Sequence, residues 1–483
     1  MPSPCVPSGP DTRLSLLPGL ILLLGATIIF SKLGGHGLAN YDDCFYAQKA
    51  KEILETGDWL TMHFNRQPAW ENPPFFIWMI ALSYRIFGVG EFAAKFPSAF
   101  FGLATILLVY HIAGKLYNAW TAFFSSLVLS TTFIFTRYAR HAMMDVTLSF
   151  FVCLALYAAS LALEKDRRYF LLWGASIGIC ILIKSVLGFV PLVITVFHFL
   201  LTGRRNVLVD RFFLLGSLIM LAGCSWYIDQ YVKFGRQFFD GHFGWVIYTR
   251  AFGLGTQAWY DHLSYLVDLL TYYWPWLPLF IAGVVMLTSN ALKGDKNSVL
   301  LVLWAVLPIM VLSLVQSRVL WYIMPVFPAA AIICGWTLDA IFREQWKILA
   351  AKICLVLTVG AFIALNFTPV QVESDRELDV REIAPYVRHF SHKGARLIAY
   401  RWDYYSLNNA LLFYSDYGAN PIFEDMRSLS AAFAEDTLVL CVMSPSDLEE
   451  AASSVKSFHV LRRTNEMALA ANRELNAGEV GAP

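Results

Sequence analysis

The chain has 483 residues, of which 57% are hydrophobic, 15% aromatic and 15% charged, and its formal net charge is +1. Apolar blocks of about 17 to 24 residues recur along it, and about 20 apolar residues suffice for a helix to cross a bilayer. The composition therefore predicts a polytopic α-helical membrane protein. The balanced charge, with basic residues in short clusters between the blocks, excludes nucleic acid as a partner.

The apolar blocks define the predicted spans. The first block, residues 14–30, is not followed by a small-x-small cleavage site, so we expect an uncleaved anchor with a cytoplasmic N-terminus. We predict about eleven spans in all. They lie near residues 14–31, 97–115, 119–137, 146–163, 169–184, 186–203, 211–228, 267–290, 298–315, 319–342 and 348–366.

One further apolar stretch, residues 73–87, is short for a span. It begins with Pro73-Pro74 and contains Arg85, so we expect an interfacial or re-entrant helix. With this stretch outside the count, the basic loops between spans all fall on one side, which the positive-inside rule makes cytoplasmic.

The opposite, outer side carries the longer loops and the C-terminal part. The loops are 34–95, which holds juxtamembrane helices, 138–145, 228–266 and 316–318. Beyond Pro369 the hydropathy falls, and short β-like runs lie at residues 396–400, 438–443 and 458–461. We expect a transmembrane domain over residues 1–368 and a soluble extracytoplasmic α/β domain over residues 369–483.

Acidic residues at the outer ends of spans are the first candidates for chemistry. Asp42 and Asp43 lie just beyond the first span, and Asp145 begins a later one. Charges beside spans are costly and often mark a polar pocket. Aspartate is also a favoured helix N-cap, which explains one member of the adjacent pair more readily than both. A catalytic and a capping role both stay open for Asp145.

A second signal in the same loop is Glu71, which stands between Trp70 and the rigid pair Pro73-Pro74. A carboxylate held beside aromatic rings suits the hydroxyls of a sugar, and stabilisation of the turn is the alternative.

Several short motifs occur in an order that is similar to one known family. After the acidic pair they read EILETGDW (52–59), WENPPFFIW (70–78), KFPSAFFGL (95–103), RHAMMD (140–145), IKSVLG (183–188), SWY (225–227), YWPW (273–276) and SRVLWYIMP (317–325). Together they resemble the aminoarabinose transferase and protein O-mannosyltransferase group of GT-C glycosyltransferases. The resemblance covers the membrane part of the chain.

The resemblance implies a GT-C fold with about 11 to 13 transmembrane helices. It also implies transfer of a sugar, with inversion, from a polyprenyl-phosphate carrier to a hydroxyl. The acceptor would be lipid A, another glycolipid, a polysaccharide or a protein. Asp42 is the expected general base, with Asp43 and Asp145 as further catalytic candidates.

The cations of this chain depart from those of the aminoarabinose transferases. Phe45 stands where an arginine follows the acidic pair, and Asn72 replaces the lysine of a Glu-Lys-Pro motif. The expected substrate-binding residues are therefore Glu71, Tyr46, Lys184, Arg66, Arg137, Arg140, Arg250, Arg318 and Tyr322. Of the cations, Lys184 matches the family's lysine at the end of a span. For each cation, a snorkelling side chain at a span end is the alternative.

No metal or other cofactor is expected, since related enzymes with lipid-monophosphate donors generally need none. Two groups, Asp240 with His242 and the acidic pair with His141, keep a divalent cation open as an alternative. A transporter or flippase and a non-catalytic envelope assembly factor are the other readings of the chain. We expect a multi-pass protein of the bacterial plasma (inner) membrane, with its active face outward.

Overall fold

The computed structural model describes residues 17–38, 42–253, 262–367, 378–402 and 404–475. As far as Phe367, this part of the chain is almost entirely helical. Its helices are α1 (Leu17–Phe30), α2 (Asp42–Thr56), α3 (Phe75–Phe87), α4 (Glu91–Leu116), α5 (Ala119–Thr131), α6 (Phe133–Ala139), α7 (Met144–Glu164), α8 (Tyr169–Lys184), α9 (Val190–Leu201), α10 (Arg211–Ala222), α11 (Ser225–Phe234), α12 (Arg236–Phe239), α13 (Arg250–Phe252), α14 (Ser264–Tyr272), α15 (Leu277–Leu292), α16 (Lys296–Ser313), α17 (Phe327–Ile341) and α18 (Glu344–Phe367).

Shorter elements connect these helices. A two-stranded antiparallel hairpin, β1 (His63–Phe64) and β2 (Gln67–Pro68), joins α2 to α3. Tighter 3₁₀ turns cover Ser185–Phe189, Arg205–Val209 and Leu320–Val326, and a wider π-helical segment covers Asp240–Thr249.

Within the described residues, six helical stretches are long and apolar enough to cross a membrane, and a seventh is added if α5 and α6 form one bent span. The predicted polytopic helical membrane protein is confirmed. Each predicted block coincides with helix, but three blocks predicted as continuous are broken. The block 119–137 bends by 67° between α5 and α6, 211–228 is divided into α10 and α11, and 267–290 into α14 and α15.

The apolar run 169–201 folds back on itself. The indole Nε1 of Trp173 in α8 donates to Thr195 Oγ1 in α9 at 3.1 Å, whereas one continuous helix would place these residues about 33 Å apart. The chain reverses at Ser185, whose φ is +32°. Gly188 then lies directly on α8, since a Cβ there would come within 2.4 Å of the Ile181 nitrogen. This reversal places Lys184 at the tip of the helical pair.

Helices α8 and α10 approach each other through glycines. A Cβ added to Gly174 would lie 1.9 Å from the carbonyl oxygen of Gly216, and one added to Gly223 would lie 2.5 Å from that of Gly178. Small residues allow this close contact, which replaces the hydrophobic effect as a source of helix association in a bilayer.

The C-terminal part is an α/β unit. Its helices and strands are α19 (Leu378–His392), β3 (Arg396–Tyr400), α20 (Tyr404–Ser415), β4 (Ile422–Phe423), α21 (Met426–Phe433), β5 (Val439–Met443), α22 (Pro445–Ser454), β6 (His459–Arg463) and β7 (Ala468–Ala471). The sheet has the order β4-β3-β5-β7-β6. Strand β3 is parallel to β4 and β5, while β7 is antiparallel to β5 and β6.

The predicted β-like runs coincide with β3, β5 and β6. The sequence analysis missed β7, whose four residues Ala-Leu-Ala-Ala lack the β-branched side chains that favour strands. All four are buried between β5 and β6, so tertiary packing determines this strand.

The α/β unit contacts the start of the membrane part. The hydroxyl of Tyr414 in α20 accepts a hydrogen bond from the backbone N–H of Leu38 at 2.9 Å. Lys51 in α2 forms an ion pair with Asp416, and Arg381 in α19 lies 3.6 Å from Glu91. Helix α2 is therefore held between the membrane helices and the C-terminal unit.

The glycine contact between α8 and α10 generates a prediction. The substitution Gly174→Ala is expected to lower the free energy of unfolding by about 1–3 kcal/mol, because the new methyl group overpacks against backbone. Gly360→Ala in α18 is the matched control, since among the described residues no atom lies within 4 Å of its added Cβ. Thermal unfolding of the two detergent-solubilised variants measures the difference, and equal melting temperatures would contradict the close packing.

Candidate active site

The N-terminus of α2 carries the two adjacent aspartates. Asp42 is partly buried and Asp43 is 1% exposed. The Asp43 carboxylate lies 2.8 Å from His141 Nδ1 and accepts from the backbone N–H of Ala142. Burial alone would raise the pKa of Asp43, but His141, this hydrogen bond and the Lys95 ammonium together hold it below its usual value. Asp43 is therefore an ionised, weakly basic carboxylate.

One face of α2 continues the polar line that begins with the acidic pair. Asp42, Phe45, Lys49 and Glu52 share this face, because residues three or four apart are neighbours on a helix. The Lys49 ammonium is wholly buried and lies 2.9 Å from Glu71 Oε2 and 3.2 Å from Asn72 Oδ1. Sequence analysis missed Lys49, although its seven-residue spacing from Asp42 on a helix could have indicated it.

The segment that carries Glu71 is held in place by contacts of the neighbouring Trp70 with Phe234 and His242. The Glu71 side chain is 43% exposed. Its neighbour Trp70 packs its ring against Phe234 with 5.2 Å between centroids, and its carbonyl oxygen lies 2.5 Å from His242 Nδ1. The following prolines lead directly into α3, so Glu71 is held in a rigid part of the loop.

A second acid and cation meet at the other side of the site. Asp145, at the start of α7, is 1% exposed and forms an ion pair with Lys184 at the end of α8. The same ammonium lies 4.3 Å from the centroid of the Tyr322 ring. Within the described part of the chain, the second oxygen of Asp145 has no hydrogen-bond partner. Lys184 is thereby fixed by a buried carboxylate and an aromatic face.

Ser185 links these two sides. Its hydroxyl lies 2.8 Å from His242 Nε2 and accepts from the Tyr227 hydroxyl at 3.2 Å. Since the other nitrogen of His242 lies against Trp70, the imidazole connects the turn after Lys184 to the segment that carries Glu71. Sequence analysis named His242 only for the metal alternative and did not name Ser185, whose strained φ is visible only in three dimensions.

Tyr138 lies near the acids from both sides of the site. Its hydroxyl is close enough to Arg137, Asp145, Asp43 and Asp42 to interact electrostatically with each of these charged groups. The Tyr138 ring also lies 5.8 Å from Trp321, the neighbour of Tyr322. The N-terminus of α2, the end of α6, the start of α7, the end of α8 and the loop before α3 therefore surround one polar region.

Two predicted cations are engaged in contacts with the protein backbone or beside it. The Arg140 guanidinium is buried and donates to the carbonyl oxygens of Ile28 at 2.8 Å and Ile29 at 3.1 Å. It therefore binds the carbonyl oxygens of the last turn of α1. Arg66 is exposed in the turn between β1 and β2, with φ +60°, and its backbone N–H donates to Glu52.

The other predicted binding residues are spread around the site. Tyr46 is buried in α2, with its ring edge-to-face against Phe76. Arg318 contacts the carbonyl oxygen of Ser313 and lies 3.0 Å from His262. Arg250 begins α13, but its side chain lies outside what the structure describes. Among the described residues, no group of three or more His, Cys, Asp or Glu side chains is arranged to hold a metal ion.

Comparison with known proteins shows what the membrane part of the chain is similar to. Residues 71–228 match the family described as dolichyl-phosphate-mannose-protein mannosyltransferase. The undecaprenyl phosphate-alpha-4-amino-4-deoxy-L-arabinose arabinosyl transferase of Pseudomonas savastanoi pv. phaseolicola is 30% identical over 320 residues, which are 63% of this chain. The match spans 58% of that relative's length.

Solved structures share the architecture. The crystal structure of ArnT from Cupriavidus metallidurans bound to undecaprenyl phosphate superimposes with a TM-score of 0.76 at 20% identity, over 97% of this chain and 100% of that one. The archaeal oligosaccharyltransferase AglB from Archaeoglobus fulgidus gives a TM-score of 0.58 at 13% identity, over 95% of this chain and 74% of that one. At such identities, these likenesses establish the fold.

The family match begins at Glu71 and includes Arg137, Asp145 and Lys184, so it covers much of the polar region. The prediction of a glycosyltransferase is thereby confirmed, in preference to the alternatives of a transporter or an assembly factor. In fold and in sequence, the chain is similar to the aminoarabinose transferase and protein mannosyltransferase group of GT-C glycosyltransferases.

Proposed function

We propose that this glycosyltransferase moves a sugar from a polyprenyl-phosphate carrier to a hydroxyl group at the outer face of the membrane. The proposal rests on a difference in solvent exposure among the acidic residues of the site. Asp43 and Asp145 are each 1% exposed, whereas Asp42 is partly exposed at the N-terminus of α2. The undecaprenyl-phosphate-linked sugar for which the arabinosyl transferase relative is named, and the undecaprenyl phosphate bound to ArnT, support the choice of donor.

Asp42 is the proposed general base. An alcohol is a poor nucleophile until a positioned carboxylate accepts its proton, and such catalysis contributes about 10²- to 10⁴-fold in rate. Asp43 is less suited, because its pKa is held below the usual value and its carboxylate is buried. We assign to Asp43 the role of fixing the start of α2 against the loop before α7.

The leaving group is a lipid phosphate, which needs cations rather than an acid. Lys184, held by Asp145 and Tyr322, and Arg137, at the end of α6, are the proposed phosphate partners. In one displacement the acceptor oxygen bonds to the anomeric carbon as its proton passes to Asp42. The bond from that carbon to the phosphate oxygen breaks, and the carrier leaves as an anion. A single displacement of this kind inverts the anomeric centre.

We further propose eleven spans, with the polar region on the outer side of a bacterial plasma membrane and residues 369–483 as an extracytoplasmic domain. The basic loops between spans support this orientation, because such loops stay on the cytoplasmic side. The contact of the C-terminal unit with α2 supports the same side for both. Lipid A, another glycolipid, a polysaccharide or a protein would each present a suitable hydroxyl.

The base assignment predicts different outcomes for the two adjacent aspartates. Asp42→Asn is expected to lower the glycosyl transfer rate at least about 10²-fold without changing the melting temperature, because the amide cannot accept the proton. Asp43→Asn, in contrast, is expected to lower the melting temperature, because it removes the carboxylate from a buried contact with His141. Equal activity of Asp42→Asn and wild type would contradict the assignment.

The measurement uses cells that lack the protein. Mass spectrometry of their lipid carriers and outer-face glycoconjugates should show one accumulated polyprenyl-phosphate sugar. Wild type should remove it and Asp42→Asn should not. A deletion that changes no carrier lipid and no glycan would contradict the proposed function.

We propose that the transfer needs no metal ion. Transfer by the purified protein is therefore expected to be unchanged after incubation with EDTA, because Lys184 and Arg137 neutralise the leaving phosphate. Loss of activity with EDTA that Mg²⁺ or Mn²⁺ restores would contradict this prediction and favour a carboxylate-bound cation.

A further inference from the structure

Lys49 is a buried cation that the proposed mechanism leaves without a role. Its side chain is wholly inaccessible to solvent. Its ammonium lies 2.9 Å from Glu71 Oε2, 3.2 Å from Asn72 Oδ1 and 4.0 Å from the centroid of the Phe45 ring. An ammonium has three protons to donate, and these three neighbours surround it. Lys49 is therefore placed to hold protein groups together rather than to bind a phosphate.

A buried ammonium is costly unless it is paired. Burial lowers the pKa of Lys49, and the charges of Glu71, Glu52 and Asp42 oppose that shift. The paired carboxylate of Glu71 is itself 43% exposed. One end of the pair is thus fixed inside α2, and the other end faces the open part of the site.

The partners of Lys49 are the positions at which the cations of this chain depart from the aminoarabinose transferase pattern. Phe45 and Asn72 stand where that pattern has an arginine and a lysine. Both contact the Lys49 ammonium. Neither of these two positions carries a positive charge in this chain. The Lys49 ammonium, one helical turn after Phe45, provides a positive charge beside both of them.

We propose that Lys49 is a positioning residue that fixes Glu71, as the sugar-contacting carboxylate, at a set distance from Asp42. The inference rests on the proposed function. In this arrangement the helix that carries the base also carries the cation that orients Glu71. A shift of α2 therefore moves both ends of the sugar site together.

The test measures recognition of the sugar and binding of its carrier lipid in two separate experiments. The donor probe is the sugar-loaded carrier lipid purified from cells that lack the protein, and the binding probe is sugar-free undecaprenyl phosphate. Lys49→Met is expected to raise the KM for the donor about tenfold or more, as loss of a charge-assisted hydrogen bond would. The Kd for undecaprenyl phosphate, followed by tryptophan fluorescence of the full chain, should stay within about twofold.

Two further variants test whether Lys49 acts through its contact with Glu71. Glu71→Gln should raise the KM to a similar degree, and combining it with Lys49→Met should add little, because the two residues act through one contact. Lys49→Met combined with Asn72→Lys keeps a positive charge beside Glu71. It should fold and recover most of the lost KM.

The outcomes are distinct. An unchanged KM in Lys49→Met, or no recovery in the folded double variant, would overturn the inference. A parallel loss of undecaprenyl phosphate binding would also overturn it, because Lys49 would then be a phosphate ligand. If wild type transfers no sugar from the purified carrier lipid, the proposed function fails and the inference with it. An active wild type confines any failure to Lys49.

Discussion

A buried charge beside a membrane span must be paired, and this requirement organises the site. Pairs that the described residues provide include Asp43 with His141, Asp145 with Lys184, and Glu71 with Lys49. In each pair the two partners come from different segments of the chain. Breaking such a pair leaves an uncompensated buried charge, which costs about 3–5 kcal/mol. The pairs therefore fix the relative positions of the helix ends around Asp42.

The packing of the helices makes these pairings possible. The glycine contact between α8 and α10 sets the position of α8, and the reversal at Ser185 ends that helix at Lys184. On the other side, the C-terminal unit holds α2 through Tyr414 and Asp416. The position of Asp42 at the start of α2 consequently depends on contacts of the C-terminal unit as well as on those of the membrane helices.

The sequence predicted the helices well because hydropathy is a local property. It could not predict the bend between α5 and α6 or the strand β7, which depend on tertiary packing. For the site, motif order indicated Asp42, Asp145 and Lys184, and the structure places all three around one region. Arg140 has equally suitable chemistry, and the structure adds a contact of its guanidinium with carbonyl oxygens at the end of α1 that spacing did not predict. Which partner a charge finds is a long-range property that spacing alone does not encode.

In the proposed mechanism, chemistry and donor preference depend on different residues of this site. Proton removal uses Asp42 at the start of α2, and departure of the phosphate uses the cations Lys184 and Arg137. The edge formed by Phe45, Lys49, Glu71 and Asn72 takes no direct part in either of these proposed steps. Under the proposal, a substitution at this edge therefore alters which sugar fits while the reaction stays the same. Because Lys49 belongs to the same helix as Asp42, its ammonium contacts Glu71 from within α2.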